Sequence, residues 1–157
     1  MSALLSPDGV MATATPYLRL VGALLLALPI GWHREAHGDT MGLRTFPVVA
    51  VGACAFVLIG NAFIGSGSPD AMARILQGLM TGIGFVGGGA ILKHDSHVSG
   101  TAAAASIWVV GAIGAAVGFG LWGLAVALAL INVLSVAILG RLKNGRHVRK
   151  AGQDSDG

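Results

Sequence analysis

The sequence contains little charge. Only 11% of its 157 residues are Asp, Glu, Lys or Arg, whereas 54% are hydrophobic. Soluble domains usually carry about 25% charged residues, and they need enough polar surface to cover the fold. A mean hydropathy of +0.77 indicates the same shortage of polar surface. The composition therefore excludes an ordinary water-soluble domain and favours a membrane protein.

Cysteine is almost absent as well. The single cysteine, Cys54, lies in an apolar run, so a disulfide framework and a CxxC motif are excluded. The net charge of +3 could suit nucleic acid, but the basic residues flank apolar segments, where they set membrane topology. We therefore expect no nucleic-acid partner.

The first 15 residues contain no Lys or Arg. A cleavable signal peptide needs a basic region before its apolar core and a small-residue cleavage site after it. We therefore expect residues 1–15 to form a periplasmic segment and the first apolar run to be retained as a span.

Apolar runs predict an all-α polytopic membrane domain over residues 16–140. A spanning helix needs roughly 20 apolar residues, and the runs place five helices at about 17–32, 43–64, 71–92, 101–117 and 121–139. Residues 102–139 would form one helix of about 57 Å at 1.5 Å per residue. Because that is nearly twice the hydrocarbon thickness, we place a break at Gly118-Phe119-Gly120. Residues 141–157 are expected to form a basic, disordered cytoplasmic tail.

The basic residues predict the orientation. With five spans, Arg34, Arg44 and Lys93 fall on the same side as the basic tail. Loops rich in Lys and Arg remain in the cytoplasm. We therefore predict that the N-terminus is outside and the C-terminus is inside the cell.

The third predicted helix is rich in glycine. Gly82 to Gly87 match GxGxxG literally, but a dinucleotide site needs a preceding strand and a βαβ unit, and the sequence shows neither pattern. Small residues four positions apart let membrane helices approach closely. The glycines predicted to pack helices are Gly78, Gly82, Gly84, Gly87 and Gly88.

Ionisable and polar residues lie near the predicted helix ends. Glu35, Asp39 and Asp95 offer the oxygen donors that Mg²⁺ prefers, but carboxylates on separate loops do not define a site, so no metal site is predicted. Asp70 and Arg74 have the spacing of a same-face pair on a helix. Asn61 and Asn132 are expected to form interhelical hydrogen bonds. The sequence shows no nucleophile, base and orienting group in sequence proximity, and we expect neither an enzyme nor a bound cofactor.

Several ordered motifs together resemble the MgtC/SapB family of bacterial inner-membrane proteins. They are Ile30-Gly31-Trp32-His33-Arg34-Glu35, Met41-Gly42-Leu43-Arg44-Thr45, Gly82 to Ile91, Val98-Ser99-Gly100 and Ala104-Ala105-Ser106-Ile107-Trp108. The resemblance covers about residues 17–140 and is that of a short form without the C-terminal cytoplasmic domain. Two departures are His33, where the family usually has glutamate, and Thr101-Ala102-Ala103, where it usually has Leu-Thr-Thr.

The resemblance implies a role in adaptation to low magnesium or to acid and envelope stress. It implies that the functional candidates are Arg34, Glu35, Arg44, Thr45, Asp70, Arg74 and Trp108. By the same analogy, a membrane-protein partner would be the F-type ATP synthase.

Two functions remain open at this point. The first is an accessory or regulatory protein that contacts another membrane complex. The alternative is a small ion transporter or channel, with Arg34, Glu35, Arg44 and Arg74 lining the path. The expected surroundings are the lipid bilayer of the bacterial inner membrane, and a second copy of the chain is an open possibility as a partner.

Overall fold

A computed structural model describes residues 7–36, 42–64, 68–94 and 97–153, with side chains described over 13–36, 42–64, 68–91 and 98–138. The elements are α1 (Pro7–Glu35), α2 (Phe46–Ile64), α3 (Pro69–Gly89), β1 (Leu92–His94), β2 (His97–Ser99), α4 (Thr101–Phe119) and α5 (Trp122–Gln153). Five helices are therefore present, and the prediction of a helical membrane protein is confirmed.

Three of these helices meet the length and apolarity that a membrane crossing requires. They are α1 from Thr13 to Glu35, α2 and α4. In α5 the apolar stretch among the described side chains is shorter, Trp122–Ile138. In α3, Asp70, Arg74 and the glycines lower the mean hydropathy. Large apolar side chains are exposed along the helices, as expected where lipid rather than water surrounds them.

Helix α4 lies at the centre of the bundle. It packs against α1, α2, α3 and α5, with its most extensive contact on α2. Its fully buried side chains include Ile107, Val110 and Ile113. Its sequence is apolar on every side, as expected of a helix surrounded by other helices and lipid. Helix α3 lies at the edge and packs mainly on α4 and α2.

The turn between α4 and α5 falls where the sequence predicts it. Gly120 adopts the left-handed conformation, with φ of 80°. The Gly120 N–H donates to the carbonyl of Val117, and the Leu121 N–H donates to that of Ala116. This pattern is a Schellman motif, which satisfies the last carbonyls of a helix and needs a residue without a Cβ at its left-handed position.

Several element ends differ from the predictions. Helix α1 begins at Pro7, ten residues before the predicted start, because proline is well accommodated in a first helical turn. Helix α2 begins at Phe46, since residues 43–45 form a turn in which the N–H groups of Thr45 and Phe46 both donate to the Gly42 carbonyl.

The predicted disordered tail is also different in the structure. Helix α5 continues through residues 141–153, a stretch that contains no proline and several good helix formers. Residues 154–157 lie outside the described residues.

A short hairpin separates α3 from α4, where the sequence predicts only a polar stretch. β1 and β2 pair antiparallel, with His94 opposite His97. Gly100 connects the hairpin to α4 with a φ of 84°, and a Cβ there would overlap the Ala90 carbonyl oxygen. Only glycine fits this position, both for its backbone angle and for the space around it.

Candidate functional site

The junction of α1 and α2 brings together the first candidate residues. Arg34 is only 3% exposed, although it carries a permanent charge. Its guanidinium lies over the ring of Phe46, 5.7 Å from the ring centroid, a distance that allows a cation–π interaction. Phe46 is itself fully buried, so Arg34 holds the last turn of α1 against the first turn of α2.

Glu35 acts on the same junction from the solvent side. Its Oε2 accepts a hydrogen bond of 2.9 Å from the Leu43 N–H. Leu43 lies in the turn that leads into α2, and a carboxylate is favourable near the positive end of a helix. A Cβ on Gly42 would lie 2.7 Å from this Oε2, so glycine at 42 allows the carboxylate to approach.

The neighbouring candidates Arg44 and Thr45 are placed differently. Arg44 is exposed. Thr45 is half-buried, and its carbonyl accepts from the Val49 N–H at 3.0 Å, so it begins the hydrogen-bond ladder of α2. The structure therefore brings Arg34, Glu35 and Thr45 to one junction, while the Arg44 side chain lies exposed beside them in sequence.

Asp70 and Arg74 lie at the opposite end of the bundle, in the first two turns of α3. Both side chains are exposed. Neither forms an ion pair with another residue of the described chain. The predicted same-face spacing is present, but the pair itself does not form within the chain.

Trp108 borders an open groove between α4 and α3. The groove has a volume of about 400 Å³ and is lined by Ala73, Gln77, Met80, Thr81 and Trp108. Trp108 is 46% exposed, and its Nε1 lies 3.9 Å from the position that a Cβ on Gly84 would take. The indole therefore belongs to the α3–α4 contact and faces out of the bundle.

The predicted packing glycines of α3 separate into two groups. Gly87 is buried against Ala104, whose carbonyl oxygen lies 3.5 Å from a Cβ built at position 87. A Cβ built at Gly84 would lie 3.9 Å from Trp108 Nε1, which is a looser contact. Around Gly78, Gly82 and Gly88, a Cβ would meet no atom of the described chain within 4 Å. These three glycines do not pack against the described part of the chain, and close packing of helices at these positions stays a prediction.

Close glycine contacts also lie on α4, at positions that were not among the predicted packing glycines. A Cβ on Gly114 would overlap the Ala50 carbonyl oxygen, and one on Gly118 would lie 2.7 Å from Cβ of Val57. Gly114 and Gly118 have the same small-xxx-small spacing as the α3 glycines, so the signal existed. They allow the backbones of α4 and α2 to touch.

A buried polar contact joins α4 to α5. Ser106 and Asn132 are both buried, and the Ser106 hydroxyl donates to Asn132 Oδ1 at 3.3 Å, which joins α4 to α5. The expectation for Asn132 is confirmed. Asn61 is exposed and makes no side-chain hydrogen bond with the described residues.

Arg19 of α1 was not among the residues predicted to be functional. Its Nη1 donates to the Gly118 carbonyl at 2.8 Å, near the last turn of α4. A cation is favourable at this negative end of a helix. Arg19 therefore fastens α1 to the end of the central helix.

A metal centre does not arise from the described side chains. Over residues 13–36, 42–64, 68–91 and 98–138, no three His, Cys, Asp or Glu side chains come together as ligands would. The Glu35 carboxylate already accepts a hydrogen bond from the Leu43 N–H. Asp39 and Asp95 lie outside the described residues.

Comparisons with known proteins place the chain in a family. A family model described as the MgtC family matches residues 20–145. Protein SrpB of Synechococcus elongatus is 34% identical over 144 residues, which are 85% of this chain and 79% of that relative.

Two relatives named MgtC are similar at the same level. Protein MgtC of Brucella abortus is 38% identical over 120 residues, 76% of this chain and 49% of the relative. Protein MgtC of Salmonella typhimurium is 38% identical over 125 residues, 79% of this chain and 52% of the relative. The chain thus spans about half the length of these two relatives. No solved structure matches the chain significantly. Since the family model covers residues 20–145 and SrpB is 34% identical over 85% of the chain, the chain belongs to the MgtC family.

Proposed function

We propose that this chain is an accessory or regulatory protein of the bacterial inner membrane. In this proposal it supports magnesium homeostasis or adaptation to acid and envelope stress by contacting another membrane complex. Membership of the MgtC family supports the link to magnesium and stress. By family resemblance, the F-type ATP synthase is the first complex to test.

The observation that carries the proposal is the way the chain uses its ionisable groups near the α1–α2 junction. The Arg34 guanidinium is buried over Phe46, and the Glu35 carboxylate binds the backbone of the next turn. An ion pathway needs polar groups that line a water-filled cavity. These two groups instead hold helices together, which favours a contact-based role over transport.

Growth of a deletion strain tests the cellular role. We expect the strain to grow more slowly than wild type at limiting magnesium or at acid pH, and the wild-type gene to restore growth. Affinity purification of the tagged protein from native membranes should then recover a membrane complex, with a strain expressing the tag on an unrelated membrane protein as the control. Equal growth across all magnesium concentrations and pH values would contradict the role.

Ion flux distinguishes the rival function. The protein reconstituted in liposomes is expected to produce no more magnesium or proton flux than empty liposomes. A flux that Glu35→Gln and Arg44→Ala both reduce, while the open-site control Gly52→Ala leaves it unchanged, would instead establish the transporter. Gly52 serves as the control because a Cβ there would meet no described atom of another helix within 4 Å.

A further inference from the structure

We propose that the C-terminal extension of α5, residues 140–153, binds the headgroups of anionic phospholipids. The helix enters this extension directly from its apolar stretch, Trp122–Ile138. The sequence analysis expected most of the same residues to form a disordered tail. The proposal concerns contact with the bilayer surface and does not depend on the cellular role proposed above.

The extension carries all of the excess positive charge of the chain. Five of the ten Lys and Arg residues lie in it, and none of the seven Asp and Glu residues do, so its formal charge is +5 with His147 neutral. Since the whole chain has a net charge of +3, the remaining residues together carry −2. A partner for the extension must therefore be negatively charged. The five cations are Arg141, Lys143, Arg146, Arg149 and Lys150.

The contact between α4 and α5 shows where the extension leaves the bundle. Ser106 of α4 donates a hydrogen bond to Asn132 of α5, and α4 begins five residues before Ser106, at Thr101. The tight turn at Gly120 makes the two helices antiparallel, so the level of Thr101 corresponds to about residue 137 of α5. Residues 140–153 therefore continue beyond the end of the central helix.

The length of α5 places the cations at the membrane surface. When Trp122 lies at one edge of the hydrocarbon, a common position for tryptophan, Arg141 lies about 29 Å along the helix and Lys150 about 42 Å. The hydrocarbon is about 30 Å thick, and each headgroup layer adds about 5–8 Å. Arg141 is therefore level with the start of the headgroups. Lys150 extends about 4–7 Å past them, which is within the screening length of about 8 Å at physiological ionic strength.

The rotation of α5 places two of the cations on its lipid side. The helix packs against α4 and α1, and the stripe that it buries there consists of Ala125, Ala129 and Asn132. At about 100° per residue, positions 141 and 149 lie about 150° and 130° around the helix from the middle of this stripe. Arg141 and Arg149 therefore occupy positions on the side of α5 that faces away from the bundle.

Charge and position together identify the partner as a lipid headgroup. Basic residues immediately beyond a membrane span attract anionic lipids, and the attraction falls off within a screening length. Headgroups already surround the helix at this height, and phosphate oxygens accept the hydrogen bonds that a guanidinium donates. An acidic protein surface would carry the same sign of charge, but a separate interaction would have to bring it to this level.

The selectivity of the full chain for spin-labelled lipids tests the proposal. The protein is reconstituted in phosphatidylcholine vesicles that contain a trace of spin-labelled phosphatidylglycerol or spin-labelled phosphatidylcholine, and electron paramagnetic resonance measures how strongly each associates with it. We expect phosphatidylglycerol to associate at least about threefold more strongly at low salt. The ratio should approach unity at about 1 M salt, because the charges are then screened. A ratio near unity at low salt would overturn the proposal and favour an acidic protein partner.

Two double variants separate the lipid side of the extension from its other side. Arg141→Gln with Arg149→Gln is expected to lower the selectivity ratio by at least about half, since both positions face lipid. Lys143→Gln with Lys150→Gln is the matched control. It removes the same charge from the same extension, but its positions lie within about 30° of the middle of the buried stripe, so the ratio should fall less.

Glutamine is used in both variants because its helix propensity is close to that of Lys and Arg, and circular dichroism verifies that each variant keeps wild-type helicity. A fall as large in the control would contradict the placement of Arg141 and Arg149 on the lipid side. A ratio unchanged by the Arg141 and Arg149 substitutions would refute the proposed surface, whatever the growth experiment shows.

Discussion

At the scale of single residues, the neighbours decide what a given residue type does. Arg34 is buried beside Phe46, whereas Arg44, ten positions later, is exposed. Both belong to family motifs, and both satisfy the charge pattern that predicts orientation. Their different environments mean that Arg34 contributes to packing as well as to charge, while Arg44 remains available at the surface.

Gly114 and Gly52 provide a matched test of this dependence. We expect Gly114→Ala to lower the free energy of unfolding by about 1–3 kcal/mol, the usual cost of overpacking a core. The added methyl would overlap the Ala50 carbonyl oxygen on α2, so the two helices must separate. Titration with SDS in mixed micelles measures the change.

At Gly52 we expect the alanine substitution not to lower the free energy of unfolding. This glycine lies on α2 with open space around its missing Cβ, and alanine is favoured over glycine within a helix by about 1 kcal/mol. Gly52→Ala should therefore leave the protein as stable as wild type or more stable. Similar losses at both positions would show that close contact at Gly114 is not the cause.

At the scale of elements, α4 organises the bundle through contacts of several kinds. Its glycines touch α2, Ser106 bonds to Asn132 of α5, and its last turn receives Arg19 from α1. Apolar packing between helices gains little in lipid, since the tails are equally apolar. Close backbone approach and polar bonds therefore carry much of the specificity of the arrangement.

A double-mutant cycle measures the link between α4 and α5. Ser106→Ala and Asn132→Ala should each destabilise the fold, and the double variant should lose less than the sum. The coupling energy is expected to be about 0.6 kcal/mol, the average for hydrogen bonds between membrane helices. Ser106→Ala combined with Asn61→Ala is the control pair and should be additive, because Asn61 is exposed on α2. If the changes in the free energy of unfolding at Ser106 and Asn132 were simply additive, the hydrogen bond would not contribute to stability.

At the scale of the whole molecule, five helices follow one another along the chain, and their orientation in the membrane remains a prediction of the charge pattern. In a Cys54→Ala background, Ser155→Cys should resist a membrane-impermeant maleimide in intact cells and react after permeabilisation. Ser68→Cys, just before α3, should react in intact cells. The reverse labelling pattern would invert the topology, and with it the positive-inside assignment.

The order of apolar and polar segments was enough to predict a helical membrane protein, its five helices and the turn near Gly120. These features follow from the sequence because lipid leaves backbone groups no partner outside a helix. The family motifs likewise pointed to the correct family. The hairpin after α3 and the extension of α5 were missed, since short strands and polar helical ends carry no apolar signal.

Which helices pack against each other could not be predicted from the order of apolar and polar segments. Glycine spacing describes a surface on which another helix can lie, but the same spacing occurs on α3 and on α4. The folded bundle places α4 in the centre and α3 at the edge, so Gly114 is covered and Gly78 is open. Which small or charged surface becomes a core contact depends on where the other helices lie, and that arrangement exists only once the chain has assembled.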